Sequence, residues 1–224
     1  MSKRDYIAEI ISRRSRLKRR GARWDQVTDR IDNLIAISDL SFESGKLSLE
    51  TRRELVKYLP IGFIACLEGY FRLVVRDLID SGSPYRENIR QFKDLKIGVD
   101  HVVEIYRGTL TLGEFISHLL PMKGIADIDY ALSTITASSF HDAIKNTSPF
   151  SDGELKDKTI EQLGQSEKLF RDTQRLFELR HIYAHEIAPR TNVKFKEITN
   201  CSRASFIYML TTDIYVNKLI GPAT

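Results

Sequence analysis

The stretch "PIGFIACLEGYFRLVVRDLID", residues 60–80, decides the fold class. Its apolar residues recur at helical intervals: at about 100° per residue, Ile61, Ile64, Phe71, Val75 and Ile79 fall within roughly 60° of one line. That line runs through Glu68. The same period recurs along the chain, and no alternating apolar and polar run is long enough for a strand. The predicted fold is therefore all-α, a helical bundle whose core is built by two long helices. Helices are predicted over residues 3–20, 23–40, 49–81, 99–107, 112–120, 124–137, 160–187 and 201–220.

The second core helix carries "ELRHIYAHE", residues 178–186. With Arg180 at zero on the wheel, Leu169, Thr173, Leu176, Tyr183, Ala184 and Ile187 lie within roughly 60° of it. A cation in the middle of a core-facing stripe needs a partner or a polar cleft, because an unpaired buried charge costs several kcal/mol. Glu68 occupies the matching place on the first helix. The expectation is that the two meet in the bundle interior or at the floor of a cleft, Glu68 orienting the guanidinium. His181 and His185 fall roughly 100° and 140° around, on the polar edge. His185 lies in the last turn before Pro189, where the helix dipole favours the imidazolium.

Outward from these helices, "SGSPYREN" and "NTSPFSDGELKD" read as loops, and they bracket residues 83–150 as a helical insertion. "TLGEFISHLL" opens with Thr111 and Glu114 in capping-box spacing. The chain, 1–224, is read as one helical domain, with residues 1–40 a basic N-terminal helical extension. A hydrophobic fraction of 42% and a charged fraction of 29% exclude a wholly disordered chain. The longest mostly apolar run, Tyr58–Leu67, is shorter than the ~20 residues of a membrane span, so no membrane crossing is expected. With no secretory h-region, and with Cys66 and Cys201 far apart, the expectation is a reducing cytoplasm and two buried thiols.

The net charge of +4 is unevenly placed: residues 1–20 hold eight Lys or Arg against Asp5 and Glu9. In "RRSRLKRR" (13–20), Arg13, Arg14, Arg16, Lys18, Arg19 and Arg20 are candidate contacts to nucleic-acid phosphates; the alternative is a solvated helix face. P-loop, GxGxxG, HExxH and paired-Cys zinc spacings are absent, and neither cofactor nor metal is expected.

The run Arg180-His181-Ile182-Tyr183-Ala184-His185 resembles the R-x4–6-H signature of the HEPN superfamily, and the acidic "ACLEGYF" on an earlier helix fits the same resemblance. What the resemblance implies is a homodimer in which two copies of the motif helix face each other across a two-fold axis. It also implies a metal-independent endoribonuclease, often a toxin or antiviral abortive-infection effector, with RNA as substrate and an antitoxin or regulatory protein as a possible partner. Arg180 and His185 would be catalytic, and Glu68 and His181 would orient. Tyr183 would stack a base or belong to the core. One alternative is a non-catalytic HEPN-like module that binds RNA, nucleotide or protein through the same cleft. A more distant one is a metallohydrolase on His181-x3-His185 with Glu178 or Glu186.

Overall fold

The computed structural model describes residues 5–16, 23–42, 47–93, 95–150, 152–185 and 193–221, without the side chains of 40–42 and 185. It is all-α, with no sheet among the described residues. The helices are α1 (Tyr6–Arg14), α2 (Thr28–Phe42), α3 (Leu49–Asp80), α4 (Tyr85–Asn88) and α5 (Val99–Tyr106). They continue as α6 (Leu112–Leu119), α7 (Ile125–Thr136), α8 (Phe140–Lys145), α9 (Ser166–His185) and α10 (Phe195–Ile220).

α3 is the axis of the bundle, and α2, α6, α9 and α10 all pack on it. From Leu67 to Ile79 its apolar side chains are buried on more than one face: Leu67, Tyr70, Phe71, Val74, Val75, Leu78 and Ile79 are each fully buried. A helix apolar nearly all round belongs in an interior. Among the described residues α3 is the one helix long and apolar enough to cross a membrane. Its 18-residue window has a mean hydropathy of 1.4, and 67% of that window is buried inside the bundle. One contiguous core runs from Ile10 in α1 to Val216 in α10 and takes in Phe115, Ile128 and Phe140 from the middle segment.

The two expected core helices, α3 and α9, are joined by a third long one, α10. α10 begins at Phe195, six residues ahead of its expected start, and with 26 residues it is longer than α9. The early turn carries no side-chain cap to advertise it, yet Ile198 within it is fully buried. α9 in turn starts late, at Ser166, because Gly164 takes a left-handed φ of 62° that a continuing helix cannot accommodate. α8 spans only six residues, too few for periodicity to reveal.

Two polar devices hold α3 in place. The first is the expected capping box of α6: Thr111 Oγ1 accepts from Glu114 N (3.0 Å) and Glu114 Oε2 from Thr111 N (2.8 Å). Asp80 of α3 joins it, accepting from Thr111 Oγ1 at 2.6 Å and from Gly113 N at 2.9 Å. The approach is so close that a Cβ on Gly113 would lie 2.4 Å from the Arg76 carbonyl oxygen. The second is Arg23, only 1% exposed, which donates to Asp77 of α3 (3.0 Å) and to Asp213 of α10 (3.1 Å), and also to Asn217. Tyr70 Oη donates to the same Asp213 at 3.1 Å. Burial alone would lower the Arg23 pKa, but Tyr70, Asp213 and Asp77 together raise it, so the cation is held.

Candidate functional site

α9 crosses α3 so that Glu68 and Arg180 line one open cleft of about 670 Å³. The third wall is the link between α6 and α7, where Pro121, Met122 and Lys123 contribute. This wall is tied to α9 by Gln174, whose Oε1 accepts the first backbone N–H of α7, at Ile125, at 3.2 Å. His181 also lines the cleft, from an exposed position on α9.

Glu68 and Arg180 are both half-buried, as a position between an apolar stripe and a polar cleft requires. The expected meeting at a cleft therefore occurs. The expected direct pair does not: among the described residues no hydrogen bond or ion pair joins the two, and their coupling is through space. Burial pushes the Glu68 carboxyl above the usual carboxylate range; Arg180, Arg72 and Arg13, in that order, pull it back without cancelling the rise. A carboxyl with a perturbed pKa in a cleft is a mark of functional sites.

Three arginines from three helices thus surround one carboxylate. Arg72, one turn after Glu68 on α3, donates to the carbonyl oxygens of Ser117, His118 (3.3 Å) and Leu120 (3.1 Å) and so caps the C-terminal end of α6. A cation suits that negative dipole end, and the cap fixes Arg72 at the rim of the cleft. Arg13 is half-buried on α1; burial lowers its pKa, Arg16 adds to that, and Glu68 opposes it.

The basic arm is accordingly divided. Arg13 turns inward. Arg14 pairs with Glu114 of the α6 capping box, joining α1 to α6. Arg16 is exposed and its Nε donates to the carbonyl oxygen of Ser12 at 3.2 Å. Lys18, Arg19 and Arg20 lie outside the described residues.

On α9, Tyr183 is half-buried against the core and does not line the cleft, which favours the core reading over base stacking. His185 is the last residue of α9, about 7.5 Å along the axis from Arg180 by the helical rise; its side chain lies outside the described residues, as do Glu186, Ile187 and Pro189. Glu178, a possible ligand in the metal reading, accepts from Arg175 Nη1 at 3.0 Å. Among the described residues no group of three His, Cys, Asp or Glu side chains is placed to hold a metal ion.

Sequence reasoning missed Arg72, Lys123 and Arg175 as cleft residues. For Arg72 a signal existed, since it follows Glu68 by four positions and must share its face. For Lys123 there was none, because its place depends on how the link between α6 and α7 folds back onto α9. The cleft as a whole holds four Lys or Arg against Glu68 and Glu178, so its field is positive. Compared with protein-family models, with curated proteins and with solved structures, the chain finds no match.

Proposed function

We propose that the chain is a metal-independent endoribonuclease of HEPN type, acting as a homodimer, with Arg180 and His185 as its catalytic residues. The observation that carries this reading is Arg180 itself: a half-buried guanidinium on a positive cleft wall, with no hydrogen bond or ion pair to another described residue. A cation held by through-space attraction to Glu68 keeps its donors available for a phosphate.

The reaction follows from the groups available. One His185 takes the proton from the 2′-hydroxyl as its oxygen attacks phosphorus. The pentacovalent phosphorane that forms carries more charge than the ground state, and Arg180 stabilises that excess. The second His185, from the partner copy, protonates the departing 5′-oxygen. The products are a 2′,3′-cyclic phosphate and a 5′-hydroxyl, and DNA resists because it lacks the 2′-hydroxyl. Two-fold symmetry supplies both histidines from a single sequence position.

The test is incubation of total RNA with the protein with and without EDTA, comparing wild type with His185→Ala and reading the 3′-end chemistry. Cyclic phosphate ends with wild type alone are expected. Binding of RNA with intact ends would replace the nuclease by the non-catalytic module, and activity lost only to EDTA would favour the metal reading.

A further inference from the structure

A second groove of about 580 Å³ lies between α9 and the first turn of α10, and Gln174, Arg175 and Glu178 belong to both it and the cleft. The two concavities therefore adjoin along α9. Every carboxylate in this groove is already committed. Glu197 and Glu178 accept from Arg175 at 2.9 and 3.0 Å, and Asp172 accepts from Arg171 at 3.2 Å. The cations left over are Lys168, Lys194 and Lys196, all exposed, none with an ion pair or hydrogen bond of its side chain among the described residues. α10 starts at this point without a side-chain cap, so the positive end of its dipole adds to the same field.

We infer that this groove binds the phosphodiester backbone of a single strand of nucleic acid continuing out of the cleft. The inference rests on the reading of the cleft as an RNA site. Lys168 and Arg180 lie about 18 Å apart along α9 by the helical rise, too far for one phosphate to bridge, so the two concavities hold different phosphates of one strand. The linings divide the work in the same way. The cleft has whole apolar side chains at Met122, Phe177 and Ile182 against which a base can lie. In the groove, Cys201 is the one apolar residue of the described lining, and the remaining apolar surface belongs to the stems of polar and charged side chains. A peptide strand would need apolar subsites for its side chains; a phosphate backbone needs none. Cys201 adds no chemistry of its own, since burial first, then Asp172 and Glu197, push its thiol up to about 11.

The test measures affinity by fluorescence anisotropy for a labelled 2′-O-methyl 12-mer and for a 2′-O-methyl dinucleotide, neither of which can be cleaved. Wild type is compared with K168Q/K194Q/K196Q across salt concentrations. Three phosphate contacts at ~0.7 each lower the slope of log affinity on log salt by about 2, which is about 100-fold in affinity at 0.1 M salt. The 12-mer is expected to lose this much and the dinucleotide to lose less than about twofold. An unchanged slope, or equal losses for both oligonucleotides, overturns the inference, as does a polyglutamate peptide that binds more tightly than the 12-mer and loses more to the substitutions. Cleavage is read separately on natural RNA. Slope loss without any cleavage by wild type sinks the nuclease reading and leaves the groove standing, while cleavage with an unchanged slope does the reverse.

Discussion

Replacing Arg180 by Ala separates the chemical role of this residue from a structural one. From its place on the apolar stripe, the sequence predicts that its loss leaves Glu68 unpaired and impairs stability as well as activity. The structure changes the expected magnitude. Arg180 is half-buried and has no direct ion pair, so the interaction lost is of the weak, partly solvated kind, at most about 1 kcal/mol. Glu68 is not stranded either. Its carboxyl is already raised by burial, and losing its largest attraction makes it take up a proton more readily. For a chain of this size about 1 kcal/mol is a fall of about 2–4 °C in melting temperature. Loss of a transition-state charge stabiliser, in contrast, costs about 100- to 1,000-fold in kcat. The assay pairs initial rates of RNA cleavage in EDTA with circular-dichroism melting of the same samples. A fall above about 10 °C would refute the through-space account and restore a direct pair. Unchanged rates with an unchanged melt would refute the phosphate role.

Arg23→Met provides the contrast, because that guanidinium is 1% exposed and its loss leaves Asp77 and Asp213 without their shared cation; breaking a buried pair costs about 3–5 kcal/mol, or about 6–20 °C in melting temperature. A melt within about 2 °C of wild type would show that the network does not hold α3 to α10. Glu68→Gln tests the raised carboxyl through pH. The native pKa lies above the unfolded value of about 4.3, so the stability that Glu68 contributes is complete below that pH and is lost as pH rises through the native pKa. Melting curves from pH 4.5 to 7.5 are therefore expected to show the Gln variant gaining on wild type as pH rises. A gain for wild type toward neutral pH would mean that the three arginines outweigh burial.

The helical class, α3 and the α6 capping box were legible because each depends on neighbours three or four positions apart, which the chain itself specifies. The opposed charges Glu68 and Arg180 were legible for the same reason: a charge inside an apolar stripe conflicts with its surroundings, and the conflict is visible before the fold is known. The first turn of α10 was not, since no side chain caps it and the burial of Ile198 is a product of tertiary packing. Arg23 was also hidden. It reads as one more surface cation at the end of a basic arm, and only contacts to Asp77 and Asp213, 54 and 190 positions away, make it interior.

Sequence alone thus determined an all-α chain with a stripe-borne carboxylate and a stripe-borne guanidinium on separate helices. Periodicity places a side chain on a face of its own helix and carries no information about the distance to another helix. Tertiary structure decided that distance. α9 and α3 cross with an open cleft between the two charges, so they face each other without pairing, and Arg72 and Arg13 arrive from two further directions. The packed core lies behind that crossing, Gln174 of α9 holds the first N–H of α7, and Arg23 ties α3 to α10.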